Sequence, residues 1–151
     1  MLNIREAAVS DVDGLYELYT NHLTKLPPER HEEHKIDEWT KLLRELTGDP
    51  DYHILIGETD GKAVSSVTVA VIKNLTHNLR PYALIENVVT HGDYRNKGYA
   101  SLLMDAAGNI AKDRGCYKIM LLTGSKKEST LKFYENCGFN RNDKTGFIKW
   151  L

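Results

Sequence analysis

Arg95-Asn96-Lys97-Gly98-Tyr99-Ala100 lies between a strand-like run at residues 83–90 and a helix-like run at residues 101–114. A strand that enters a helix through so short a turn gathers backbone N–H groups and the positive end of the helix dipole at one point, with two cationic side chains beside them. Such a turn suits a doubly charged anion such as a pyrophosphate. Two common phosphate loops do not match it. A Walker-type loop needs Lys and then Ser or Thr after its last glycine, whereas Gly98 is followed by Tyr99 and Ala100. A dinucleotide fingerprint needs three glycines in its turn, and only Gly98 lies within this one.

Farther along, beyond a helix and a strand-like stretch at residues 117–122, comes Phe133-Tyr134-Glu135-Asn136-Cys137-Gly138-Phe139. The R-x-x-G-x-A spacing of Arg95, Gly98 and Ala100, followed by F-Y-x-x-x-G-F, resembles the acyl-coenzyme A loop and the closing signature of the GNAT N-acetyltransferase superfamily. The resemblance runs from Tyr82 onward, and the first half of the chain agrees in layout only. It implies the α/β GNAT acyl-CoA N-acyltransferase fold: a central, mostly antiparallel mixed sheet, splayed at the coenzyme site, with helices on both faces. It also implies acetyl-CoA as the acyl donor. Carried over by position, backbone groups of Val88, Val89 and Thr90 serve the pantetheine arm. Arg95, Asn96, Lys97, Gly98, Tyr99, Ala100 and Ser101 wrap the pyrophosphate.

Acetyl transfer to a primary amine by direct attack in a ternary complex needs a neutral amine, donors for the developing oxyanion and a proton for the departing thiolate. The resemblance places the general acid at Tyr134 and an oxyanion donor at the Val88 backbone N–H. Glu86 stands where the family often keeps a carboxylate, either as the base for the amine or as an anchor for its ammonium form. The loop between the first two helices commonly lines the acceptor pocket in this family, which brings in Arg30, His31, His34 and Trp39. The chain departs from many relatives at Lys127, where they carry Asn, and at Thr130, where they carry Ala. Contacts from Thr123, Ser125 and Lys127 are therefore held apart from the main site.

Ile85-Glu86-Asn87-Val88-Val89 and Gly115-Cys116-Tyr117-Lys118-Ile119, taken with the two motifs, look like glucosamine-6-phosphate N-acetyltransferases in particular. In that subgroup basic side chains meet a sugar phosphate, a role for which Arg80, Lys118 and Arg30 are candidates. Leu122-Thr123-Gly124-Ser125 departs from the subgroup, so small amines, amino acids and protein N-termini stand beside amino sugars as acceptors. A coenzyme-binding sensor or interaction module without turnover is the alternative from another class.

Composition fits one N-acetyltransferase domain over residues 1–151. With 41% hydrophobic and 27% charged residues, the chain can fill a core and keep a soluble surface. A formal net charge of -1 gives no bulk attraction to nucleic acid or an anionic membrane. The N-terminus lacks the apolar core of a signal peptide, and no apolar run approaches the roughly 20 residues of a membrane span, so a cytoplasmic location is expected. Cys116 and Cys137 have no C-x-x-C spacing and read as buried free thiols. His31-Glu32-Glu33-His34 has its histidines three apart where a zincin pair needs four, so no metal is expected. The family resemblance implies a homodimer in which the terminal strands take part.

Patterning supplies the remaining elements. Residues 2–7 read as a strand, and a helix opens at Ser10 with Asp13 at the capping-box position and closes near Leu23. Ile36, Trp39, Leu42, Leu43 and Leu46 predict a second helix stopping at Gly48. Asp60-Gly61 predicts a hairpin between strands at 52–58 and 63–71. A short helix at 130–136 and terminal strands at 139–141 and 147–150 complete the series.

Overall fold

The computed structural model describes residues 1–23 and 36–151, so Arg30, His31 and His34 lie outside the described residues. Its centre is the predicted hairpin. Asp60 and Gly61 both adopt left-handed backbone (φ 51° and 74°), the turn whose twist matches that of the flanking strands. They join β2 (Tyr52–Thr59) to β3 (Lys62–Ile72), paired antiparallel down to Thr59 and Lys62. β1 (Asn3–Glu6) adds to the outer edge of β2, and β4 (Tyr82–Thr90) pairs antiparallel with β3. β5 (Ile119–Leu121) lies parallel to β4, giving a five-stranded sheet in the order β1-β2-β3-β4-β5. A parallel pair requires a crossover, and α3 (Tyr99–Asp113) supplies it.

Strand alternation splits the core into two layers. Leu55, Val67, Val69, Ala83 and Ile85 face α3, which answers with Leu103, Met104, Ala107 and Ala111 along one stripe. On the opposite face Ile54 and Ile56 meet Leu15 of α1 (Val12–Glu17) and Leu43 of α2 (Ile36–Gly48). Full burial of each such aliphatic side chain contributes about 1.5–3 kcal/mol, so helices are held on both faces by the sheet rather than by their own propensity. Gly115 ends α3 with φ 70°, and the Cys116 N–H reaches back to Ala111 O at 2.9 Å, closing the helix end as its sequence predicts.

β4 carries one irregularity that decides the geometry of the site. Thr68 faces Glu86 and Ser66 faces Val89, so two steps on β3 match three on β4. The extra residue makes a β-bulge, with Asn87 left-handed at φ 53°. Parity reverses there. Glu86 shares the α1/α2 face with Thr68 and Ile54, whereas Val88 packs against the α3 layer.

Three local expectations need correction. The first helix does not start from Ser10 and Asp13. A 3-10 turn at Val9–Asp11 leads in, and the Asp11 carboxylate accepts the Ala8 N–H at 2.7 Å while pairing with Arg5 at 2.7 Å. Arg5 on β1 also pairs with Glu58 at 2.6 Å, which fixes Asp11 as the capping acid. After α1 the helix widens into a π-helical turn, Leu18–Leu23. The Thr20 hydroxyl donates to Tyr16 O at 2.7 Å within that stretch, the kind of side-chain insertion that distorts a helix. Finally, the terminal strands at 139–141 and 147–150 do not form, and β5 is only three residues long. Phe147 and Trp150 stand 90% and 89% exposed, since β-propensity alone does not make a strand.

Candidate active site

β5 accompanies β4 for three residue pairs only, Ala83 with Ile119, Leu84 with Met120 and Ile85 with Leu121. Past Ile85, β4 keeps β3 on one side and, among the described residues, has no strand partner on the other. Backbone amides along that open edge call for another hydrogen-bonding chain, and an extended amide-bearing ligand would satisfy them. Val88, Val89 and Thr90 all lie on this stretch. Ser65 steadies it, donating from Oγ to Val89 O at 2.8 Å and meeting Thr90 Oγ1 at 2.9 Å.

The open edge leads directly into the turn. A 3-10 turn at Gly92–Tyr94 is followed by left-handed backbone at Asn96 (φ 61°) and Gly98 (φ 77°). Leu102 N–H donates to Gly98 O at 3.1 Å, so the N–H groups of Tyr99, Ala100 and Ser101 precede the first intrahelical bond of α3. A β-carbon placed on Gly98 would meet no atom of the described residues within 4 Å, so the space at the start of the helix is open. The 15-residue α3 adds its dipole. Arg95 braces the turn, donating from Nε to Thr90 O at 3.2 Å and from Nη2 to His22 O at 3.5 Å. The Lys97 ammonium rests 4.8 Å above the Tyr94 ring.

The F-Y-x-x-x-G-F signature is a helix terminus. α4 (Glu128–Asn136) ends where Phe139 N–H donates to Tyr134 O at 3.1 Å, with Gly138 left-handed at φ 90°. Phe133 and Phe139 join the α3-side core and present ring edges to Tyr134, with centroids 5.0 and 6.4 Å away. Burial pushes the Tyr134 phenol above its ordinary pKa, with smaller contributions from Cys137 and Glu86. The hydroxyl therefore stays protonated at neutral pH and can act as a proton donor. Tyr134 belongs to the α3-side layer and Glu86 to the α1/α2 face of β4, and the two act on each other electrostatically.

On the Glu86 face, Trp39 of α2 stands edge-on to Tyr16 at 4.9 Å and tilted against Tyr19 at 6.2 Å. The Tyr19 hydroxyl lies 3.2 Å from Ser66 Oγ. Burial, then Tyr19 and Glu86, raise the pKa of the Tyr52 phenol, which places that group in the same neighbourhood. The sequence picks out Trp39 but not Tyr19 and Tyr52 as neighbours of Glu86, because Tyr52 comes there through strand register and Tyr19 through the packing of the π-helical turn on the sheet. Arg80 and Lys118 do not converge on Glu86. Arg80 donates to Gly115 O and Cys116 O, and Lys118 sits over the Tyr82 and Tyr117 rings. From Arg80 to Glu86 is six residues of largely extended chain, about 20 Å. Cys116 and Cys137 are free thiols, half-buried rather than fully buried.

Residues 13–139 match the model of the acetyltransferase (GNAT) family. The chain belongs to that family. GNAT relatives span nearly its whole length. A glucosamine 6-phosphate N-acetyltransferase of Trypanosoma brucei brucei is 28% identical over 144 residues, 95% of this chain and 92% of the relative. Among solved structures, a putative acetyltransferase from Agrobacterium tumefaciens is 37% identical, with 99% of each chain covered and a TM-score of 0.87. The glucosamine-6-phosphate N-acetyltransferase of Arabidopsis thaliana is 25% identical, covering 99% of this chain and 98% of its own, with a TM-score of 0.85. As a GNAT enzyme the chain is an acetyl-CoA-dependent N-acetyltransferase. No helix among the described residues is long and apolar enough to cross a membrane.

Proposed function

We propose that this single domain acetylates the primary amine of a small molecule, with a phosphorylated amino sugar as the first candidate, in a ternary complex with acetyl-CoA. The observation that carries the proposal is the edge of β4 left without a strand partner among the described residues, which begins beside Glu86, whose charge acts on Tyr134, and leads into the Gly98 turn. In this reading the diphosphate rests on the N–H groups of residues 98–101, and the pantetheine arm pairs with Val88, Val89 and Thr90. The thioester then lies where β5 departs from β4. Glu86 takes a proton from the acceptor's ammonium group, directly or through water, and the freed amine attacks the thioester carbonyl. The Val88 N–H donates to the resulting oxyanion. Collapse breaks the C–S bond, Tyr134 delivers its proton to the departing thiolate, and the remaining extra proton on the amide nitrogen returns to the Tyr134 phenolate through water. Holding both reactants at one gap supplies much of the acceleration. The aromatic group around Trp39, Tyr19 and Tyr52 borders the acceptor side. An amino sugar is favoured by the names of the relatives in Trypanosoma and Arabidopsis.

A thiol-release assay with acetyl-CoA and a panel of glucosamine 6-phosphate, glucosamine, amino acids and N-terminal peptides tests this. Glucosamine 6-phosphate is expected to give the highest kcat/KM. A peptide that outperforms it would refute the amino-sugar assignment, and thermal stabilisation by acetyl-CoA with no release from any amine would refute turnover. Glu86→Gln is expected to lower kcat by about a hundredfold at little changed acceptor KM if the carboxylate is the base. A raised KM at constant kcat would make it the ammonium anchor instead.

We place the enzyme in the cytoplasm as a homodimer, working without nucleic acid, membrane or metal. The short β5 and the exposed Phe147, Ile148 and Trp150 support the dimer, since together they offer a strand edge unpaired among the described residues and an apolar segment of high strand propensity outside the sheet. Sedimentation of the full chain should give the dimer mass, and a chain ending at residue 145 should sediment as a monomer. A monomeric full chain would exclude the arrangement.

A further inference from the structure

His22, at the end of the π-helical turn, and His91, directly after β4, lie tilted against each other with ring centroids 4.0 Å apart. His22 Nδ1 accepts the Gly92 N–H at 3.2 Å, and His91 Nδ1 lies 3.2 Å from the Asp93 N–H. Both bonds tie rings to the first residues of the diphosphate turn. The His22 carbonyl also accepts from Arg95, so one residue holds the turn at two points. Glu17 and Lys62 complete the group. Glu17 Oε1 is 3.4 Å from His91 Nε2 and 3.6 Å from Lys62 Nζ, and Lys62 Nζ is 3.3 Å from His91 Nε2.

Glu17, His22 and His91 have the makings of a metal site, but the hydrogen bonds speak against one. An Nδ1 that accepts a backbone N–H leaves the proton of a neutral imidazole on Nε2, where it blocks coordination. The Lys62 ammonium also already provides the positive charge.

We propose that His22 is a positioning residue for the diphosphate turn and works only as a neutral imidazole, so that acidification loosens the grip on acetyl-CoA. The proposal rests on the assignment of residues 95–101 to the coenzyme, which the 3-10 turn at Gly92–Tyr94 leads into. A proton on His22 Nδ1 removes the acceptor for Gly92 and places a positive charge against an N–H donor. Lys62 of β3, His91 and Arg95 face the same ring and oppose that charge. Glu17 of α1 favours it, and Asp93 stands by His91, with a carboxylate oxygen 3.9 Å from Nδ1. Burial is the largest influence on His22 and lowers its pKa from the ordinary 6.5. Repulsion from His91 follows, and Glu17 acts in the opposite sense. The neutral ring is thus the form the fold accepts. Its contribution is complete above the ordinary imidazole pKa and is lost as pH falls through the lowered value.

Calorimetric titration of acetyl-CoA into wild type, His22→Ala and His22→Asn, at about pH 8 and about pH 5.5, brackets the imidazole range. At the higher pH, His22→Ala is expected to bind about five-fold more weakly than wild type, the loss of one accepting group, while the Asn amide oxygen restores acceptance of the Gly92 N–H. On acidification the wild-type Kd should rise about five-fold relative to that of His22→Asn. The coenzyme's own phosphate titration cancels in this ratio. A flat ratio, or His22→Ala equal to wild type at the higher pH, would overturn the proposal. Nitrogen-15 shifts of His22 in the free protein give a readout independent of coenzyme. A bare Nδ1 and a protonated Nε2 are expected, and a proton on Nδ1 at the higher pH would overturn the proposal even if the turn binds acetyl-CoA. An unchanged Kd in a Gly98→Asp variant would instead remove the coenzyme assignment, so the two failures are distinct.

Discussion

Tyr134→Phe is expected to lower kcat by about a hundredfold while leaving the KM for acetyl-CoA nearly unchanged, because a positioned general acid contributes that much and the ring itself remains. The substitution removes one hydroxyl and keeps the edge contacts with Phe133 and Phe139. The capping bond from Phe139 N–H to the residue 134 carbonyl involves only backbone and also persists. Steady-state kinetics on the best amine from the panel provides the measurement. An unchanged kcat would take the general-acid role away from Tyr134 and leave the thiolate to be protonated by solvent.

Gly98→Asp should raise the Kd for acetyl-CoA by about a hundredfold, in two separable parts. The first is conformational: φ at this position is 77°, and a non-glycine residue there costs about 1–2 kcal/mol. The second is electrostatic, since a carboxylate would point into the space that the N–H donors of α3 reserve for an anion. Gly98→Ala isolates the first part and should weaken binding by about tenfold. The open space around Gly98 means that neither side chain collides with the fold, but the left-handed backbone is strained with any side chain, so both variants should also unfold at a temperature several degrees lower than wild type. Equal affinities for wild type and Gly98→Asp, measured by calorimetry, would show that the diphosphate lies elsewhere.

The parts of the molecule that were legible in the sequence are those that local chemistry determines. Asp60-Gly61 must turn left-handed, Gly98 must sit at the mouth of a helix, and Gly138 must end one. Each follows from a backbone need met within a few residues. The apolar stripe of α3 likewise declares which side it buries. What the sequence left hidden depends on distant partners. Asp11 displaced Asp13 as the capping acid because Arg5, on another element, draws it in. Glu86 was visible as a carboxylate before the turn, but nothing in the string Glu86-Asn87-Val88 shows that Asn87 bulges and sends its neighbours to opposite faces. Gly92 and His22 are 70 residues apart, a pairing no periodicity reports. The terminal segment erred in the other direction. Phe147 and Trp150 carry strong strand propensity, but among the described residues they pair with no strand.

The bulge at Asn87 has a consequence for how such an enzyme changes its diet. In the proposed reading a single strand serves two clients, with the donor's arm lying along one flank and the amine arriving over the other. Substitutions in α1, α2 and β2 can then reshape the choice of amine without disturbing the machinery that handles the thioester. A scaffold divided in this way can be retargeted to new acceptors while its source of acetyl groups stays the same.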